Sequence, residues 1–302
     1  MSAFDELVER AAHRVVEHAS LGERTTYRVG GAARALVTLS TRSDLDELGP
    51  LIEGCGSPIV TLGNGSNLLV AEGEHDVLAV HLDGEFNELS WHDEDGVVIV
   101  DAGAGLDLPV AARRLAAAGI VGFEWAVGVP GTFGGAAVMN AGGHGSDMAA
   151  VVRSVRTWRA GPRSWSVDDL HFGYRTSALT SSDVVTSVSM SLRRGDPERA
   201  NQTIREVVRW RREHQPGGAN AGSVFQNPAG DYAGRLVDDA GCRGLRHGTA
   251  RVSEKHANFI IADPGGSAND VYELIGVVRD RVEQRSGVRL RSEHRFIGFV
   301  AP

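Results

Sequence analysis

The sequence predicts an α+β protein built in two parts. Up to about residue 195, short apolar runs alternate with turns rich in Gly and Asn, the mark of strands. At "RGDPE" (194–198) the composition shifts. Beyond it three long segments with helical spacing dominate, and strand-like runs become few. A chain of 302 residues is long enough to bury a core in each part.

The elements follow in order. The opening "MSAFDELVERAAHRVVEHAS" reads as one charged amphipathic helix, with no secretory signal pattern. "RALVTLS" (34–40) reads as a strand, and a helix begins near Ser43. "PIVTL" and "LLVA" are strand-like runs separated by the turn "GNGSN", followed by "VLAVHL" and "GVVIVDAG". "LPVAARRLAAAG" (108–119) is a helix that Gly119 stops. "FGGAAVMNA" is a short helix, and "VVRSVRTWRA" and "DVVTSVSMSLRR" are strands. The second part holds the helices "ERANQTIREVVRWRREHQ", "DYAGRLVDDAG" and "SANDVYELIGVVRDRVEQRSG", with the strand-like "ANFIIA" between the last two.

Charge and cysteine content exclude several classes. A net charge of −8 without a basic stripe argues against a nucleic-acid binder. The longest uncharged stretch, 125–146, carries too much glycine, with Pro130 and Asn140, for a membrane span, so a cytoplasmic protein is expected. Two cysteines, Cys55 and Cys242, make neither a disulfide framework nor a four-ligand zinc site, and H-E-x-x-H is absent. Of 31 basic residues only Lys255 is lysine, which rules out a P-loop, since "RVSE" precedes it. A GC-rich genome would favour arginine in this way, so that lysine is either a chance survivor or a functional one.

"GVPGTFGGAAVMNAGGHG" (128–145) puts seven glycines into eighteen positions. Each costs roughly 0.5–1 kcal/mol of backbone freedom relative to alanine, and a turn needs only one or two. Bare backbone in such number reads as close approach to a ligand, and amides leading into a helix suit phosphate oxygens. "LGNGSN" (62–67) is a second such turn, equally readable as a tight turn alone. Neither has the G-x-G-x-x-G spacing of a Rossmann nicotinamide site.

Seven stretches occur in a fixed order: "TTYRVGG" (25–31), "TLGNGSNLLV" (61–70), "GVPGTFGGAAVMNAGGHG", "FGYRTSAL" (172–179), "AGSVFQNP" (221–228), "VSEKHANFI" (252–260) and "SEHRFIGF" (292–299). Together they resemble the UDP-N-acetylenolpyruvoylglucosamine reductase family over nearly the whole chain, in its shorter form without the extra tyrosine loop. The resemblance implies an FAD-binding domain of the vanillyl-alcohol-oxidase (PCMH) type at 1–195, in two subdomains. A smaller α+β substrate-binding domain would follow at 196–302, its last strand able to return to the first. It implies non-covalent FAD, NADPH as reductant, and a monomer that acts in peptidoglycan precursor synthesis. The substrate would be a UDP-linked enolpyruvyl amino sugar, reduced to UDP-N-acetylmuramate by hydride from flavin N5 and a proton from the protein.

Residue by residue, the resemblance assigns FAD to Gly30, Gly31, Gly63, Asn64, Gly65, Ser66, Asn67, Gly128, Pro130, Gly131, Thr132, Gly134, Gly135 and Asn140. Ser223 would be the proton donor. It is not a hydrolase nucleophile, because G-x-S-x-G is absent: Phe225 stands two residues on. Arg175 would clamp the substrate carboxylate, a task suited to a bidentate guanidinium. Glu293 would sit by the same carboxylate, which makes sense only if it is protonated or works as an acid. Tyr174, Arg211, Asn227 and Lys255 would meet the sugar or the diphosphate. Gln226 and His144 depart from the expected basic residue and tyrosine. Two other readings compete: an FAD oxidase on the same fold, and a nucleotide-binding module without catalysis.

Overall fold

The computed structural model describes residues 2–180 and 182–299. The described residues form two compact units, one within 1–17, 35–63 and 76–211, the other within 18–34, 64–75 and 212–302.

The first unit is organised by an antiparallel sheet in the order Pro162–Ser166, Val152–Trp158, Val184–Arg194, Val97–Gly103, Leu89–Glu94, with Ile120–Val121 also on Val184–Arg194. Val188 sits between Val155 and Ala102 in register, and all three are buried. Val98, Ile99 and Val100 are all buried, so Val97–Gly103 is covered on both faces, whereas "VSMSL" alternates with Val188, Met190 and Leu192 inside. The helix Leu108–Ala117 has Pro109 in its first turn and ends before Gly119, whose φ is +69°. The short helix Phe133–Met139 lies against Val184–Arg194, and a Cβ on Gly134 would press on Ala104 at 3.3 Å.

A second sheet, Val15–Ser20, Ala32–Leu39, Glu74–Leu82 and Ile59–Thr61, has the unit boundaries inside three of its strands. Here one expectation is corrected. The opening segment is helical only over Ala3–Arg10, with a Ser2–Asp5 capping box, and Val15–Ser20 is a strand. The β-branched pair Val15–Val16 and the bond from Thr38 N–H to Arg14 O overrule the helical spacing. The helix predicted near Ser43 is Arg42–Gly54, capped by Thr41.

The second unit stacks the helix Ala268–Ser286 on a small antiparallel sheet, Arg246–His247, Ala250–Val252 and Ile260–Ala262. The helix buries Val271, Leu274, Ile275, Val278 and Val282, the spacing of one helical face. The final strand, Arg295–Ile297, pairs in parallel with Leu68–Val70, Phe296 opposite Leu69. Among the described residues no helix is long and apolar enough to cross a membrane, and no cluster of His, Cys, Asp and Glu could hold a metal.

Candidate active site

The glycines divide into those that the protein itself requires and those that it does not. A Cβ on Gly30, whose φ is +107°, would meet Val70 O at 2.1 Å, and one on Gly31 would meet Gly73 O at 1.9 Å. Gly65 is pressed against Arg24 O in the same way. These three let "TTYRVGG" lie directly on the 65–73 backbone. Gly128 faces the His144 ring and Gly142 faces Asp147. Gly63 would place a Cβ 2.5 Å from Thr132 Oγ1, so the two glycine turns meet there.

Gly135 is different. A Cβ there would have no atom nearer than Thr132 Oγ1 at 4.0 Å, and the residue is exposed. At the start of this helix, Phe133 N–H donates to Leu106 O and Gly134 N–H to Ala104 O, while Gly135 N–H has no partner among the described residues. The amides that the sequence offered to phosphate thus narrow to few. Three buried polar atoms in or beside the motif segments also lack partners among the described residues: Thr26 Oγ1, Thr61 Oγ1 and Trp125 Nε1. Unpaired buried donors and acceptors of this kind are costly unless something else meets them. A cofactor rich in ring and phosphate acceptors fits the Thr61, Trp125 and Gly135 groups of the first unit.

Arg175 is held rather than loose. Its loop is tied down by Asn140, which ends the helix Phe133–Met139 in the left-handed conformation, φ +41°. Asn140 Nδ2 donates to Gly173 O at 2.9 Å and to Asp147 Oδ2 at 3.3 Å, and Oδ1 accepts from Ala149 N–H. Its side chain therefore joins three pieces of this unit. Arg175, itself at φ +57°, donates to Gly142 O at 3.0 Å, and its guanidinium lies 5.5 Å from the ring of exposed Tyr174. Arg211 is half-buried, and burial lowers its pKa. Burial and then the Arg211 charge lower that of His144, whose ring meets Trp210 edge-on.

Ser223 and Glu293 are brought together in the second unit. Phe225 bridges Ser292, Glu293 N–H donates to Val224 O at 2.8 Å, and Gln226 N–H donates to Arg291 O at 2.9 Å. Glu293 thus stands across from the residue that follows Ser223. The Ser223 hydroxyl is half-buried and has no hydrogen-bond partner among the described residues. Sequence reasoning missed the residue that holds this segment. Buried Asn258 accepts from Phe225 N–H at 2.9 Å and donates to Phe225 O at 2.8 Å, while its own carbonyl accepts from Val224 N–H. An asparagine inside the apolar run "ANFII" was the available signal. Its replacement by alanine strands two buried main-chain groups, each worth about 1–3 kcal/mol. Asn258→Ala is therefore expected to lower the melting temperature markedly, while Asn227→Ala should do less, as read by thermal unfolding.

The remaining assigned residues have partners inside the protein. Asn67 donates to Glu293 O at 2.9 Å, which joins the "GNGSN" turn to the Glu293 segment. Asn227 accepts from Ala233 N–H at the start of the helix Ala233–Asp239. The Lys255 ammonium donates to Arg212 O, in the last turn of Pro197–His214, where carbonyls lack helical partners.

Residues 33–161 match the family model for an FAD binding domain, and residues 214–297 match that for the C-terminal domain of UDP-N-acetylenolpyruvoylglucosamine reductase. UDP-N-acetylenolpyruvoylglucosamine reductase 2 of Symbiobacterium thermophilum is 41% identical over 92% of this chain and 90% of its own length. The reductase of Syntrophotalea carbinolica is 38% identical over 92% of each. The crystal structure of the Thermus caldophilus UDP-N-acetylenolpyruvylglucosamine reductase superposes with a TM-score of 0.79 at 35% identity, covering 94% of this chain and 98% of that one. The α+β fold with an FAD-binding domain of the vanillyl-alcohol-oxidase type is the one expected. With two relatives this similar along nearly their whole length, the chain belongs to the UDP-N-acetylenolpyruvoylglucosamine reductase family.

Proposed function

We propose that the chain binds FAD non-covalently and uses NADPH to reduce a UDP-linked enolpyruvyl amino sugar to UDP-N-acetylmuramate. The observation that carries this reading is Ser223, its hydroxyl without a partner among the described residues, one position before Val224, which holds the Glu293 main chain, in a chain of this family. FAD would be held chiefly from within 1–195 and the sugar chiefly by 196–302. Gly135, Thr132 and the neighbouring glycines would meet the cofactor, with the Trp125 and Thr61 atoms that lack partners among the described residues as further contacts. When bound, FAD supplies the hydride.

The chain's own residues do the rest. Arg175, with its guanidinium direction fixed by Gly142 O, holds the substrate carboxylate and stabilises charge that develops there. Ser223 gives its proton to the carbon beside that carboxylate. An alcohol is a weak acid, so this works only on a strongly basic, enolate-like species. Glu293 works as an acid toward the same charge, offering its proton to the enolate-like species as it forms. Tyr174 and Arg211 serve the sugar and diphosphate. Asn227 and Lys255 have the same assignment, although each already has a structural bond.

An anaerobic visible spectrum tests the reading. Yellow flavin should bleach with NADPH and recolour on addition of the UDP-enolpyruvyl sugar. Recolouring by air alone would mean an oxidase, and tight nucleotide binding without turnover would mean a binding module. Glu293→Gln keeps the shape and the neutral state but removes the transferable proton. It should slow recolouring by about 10²-fold or more while leaving bleaching intact; a near-normal rate would remove Glu293 from the chemistry.

A further inference from the structure

One residue on the Glu293 segment has no part in the chemistry above, yet is among the most constrained in the molecule. The His294 ring is 5% exposed. Its Nδ1 lies 3.1 Å from Asn67 Oδ1, and its Nε2 lies 3.0 Å from the Tyr27 hydroxyl. The carboxamide orientation of Asn67 is fixed from the other side, because its Nδ2 donates to Glu293 O at 2.9 Å. The atom turned to the histidine is then the oxygen, which can only accept. Nδ1 therefore carries the proton, Nε2 is bare, and the fully buried Tyr27 phenol donates to it.

The donors all run one way: Tyr27 hydroxyl to His294, His294 to Asn67, Asn67 to the Glu293 carbonyl. Two further bonds close the structure around them. Arg295 N–H donates to Asn67 O at 2.9 Å, and His294 N–H donates to Ser292 Oγ at 3.1 Å. The ring also packs edge-on against Tyr27, at 5.6 Å between centroids.

We propose that His294 is a positioning residue for Glu293: through the Asn67 carboxamide it fixes the main chain from which the carboxyl group projects. The proposal rests on the role given to Glu293 above. It assigns the ring's two nitrogens different work. Nδ1–H serves Glu293 through Asn67, while Nε2 serves only the packing of Tyr27.

Two substitutions separate these tasks in the FAD-loaded full chain. Asparagine can supply a donor where Nδ1 stands and loses the Tyr27 contact. Glutamine can supply an acceptor where Nε2 stands and loses the Asn67 contact. Both strand one buried group, so a merely structural role predicts similar damage from each. The proposal predicts that H294N stays close to wild type, while H294Q slows flavin reoxidation by the UDP-enolpyruvyl sugar roughly 10- to 100-fold. Flavin reduction by NADPH should be unchanged in both. In an E293Q background, H294Q should change the rate by no more than about twofold. Equal losses in H294N and H294Q, or the full H294Q loss persisting in E293Q, would overturn the proposal. A readout independent of turnover is the ¹⁵N spectrum of histidine-labelled wild type, with the signal absent from H294Q assigned to His294. It should show the proton on Nδ1, and a proton on Nε2 would overturn the proposal. If wild-type flavin is not reoxidised by the sugar at all, the proposed reaction is what fails, and the nitrogen spectrum still decides the position of the proton.

Discussion

Ser223→Ala is expected to leave the reduction of FAD by NADPH nearly unchanged and to slow reoxidation by the enolpyruvyl sugar by about 10²–10⁴, the usual worth of a positioned acid. The asymmetry follows from where the proton is needed. Nothing in the first half-reaction calls for a protein alcohol, whereas the second must protonate carbon. The local structure makes the substitution a clean one. The segment is held by Asn258 and by the bridge from Phe225 to Ser292, neither of which uses the Ser223 hydroxyl. Loss of that oxygen leaves no buried group without its partner. Stopped-flow absorbance of the flavin reads both halves in one experiment. Equal slowing of both would mean a damaged cofactor site, and no slowing of the second would mean that another group delivers the proton.

Acidification should destabilise the fold well before its carboxylates are all protonated. Burial pushes His294 from the ordinary value near 6.5 down to about 4. The groups on its ring nitrogens, the Tyr27 phenol and the Asn67 carboxamide, carry no charge that would favour the imidazolium. Between pH 6.5 and 4 the unfolded chain therefore takes up a proton that the folded chain refuses. The stability from this residue is complete above pH 6.5 and is lost as the pH falls to about 4, an amount of about 3 kcal/mol. Burial and the nearby Arg243 charge lower the pKa of His256 too, which adds loss of the same sign. Unfolding should thus come at distinctly lower temperature at pH 4.5 than at pH 7. The gap should narrow in His294→Gln even though that variant is weaker at both. An unchanged gap would mean that the ring is solvated in the folded protein.

The sequence is legible where one local rule decides the outcome. Gly119 stops its helix, the apolar run around Val100 and the period-two run around Val188 face a core, and the helix Ala268–Ser286 buries one face. It misleads where a partner distant in sequence decides. Val15–Ser20 has helical spacing and becomes a strand because Ala32–Leu39 lies beside it. Leu89–Glu94 and Pro162–Ser166, polar edge strands, carry almost no apolar signal of their own. The glycines of 128–145 show the same limit at finer scale. Read alone, all seven bring the backbone to a ligand; in the structure several bring it to the protein, while Gly135 and Gly145 face open space, Gly145 at a φ of +86° that itself favours glycine. Asn258 and His294 were hidden because their work is with main-chain and side-chain groups far along the chain, which no spacing reveals.

The parallel pairing of Arg295–Ile297 with Leu68–Val70 also bears on the order in which the protein can be made. Tyr27 meets His294 across 267 residues, and Asn67 meets Glu293 across 226. As the chain leaves the ribosome, 18–34 and 64–75 emerge long before the strand and the imidazole that complete them. The first unit, with its sheet of neighbouring hairpins, can consolidate early; the second must wait for the last tenth of translation. During that interval Leu68–Val70 is an exposed, apolar, unpaired edge, the kind that aggregates or recruits chaperones. Stalling synthesis just short of residue 290 should therefore give a nascent chain whose first unit resists protease while Leu68–Val70 is still cut.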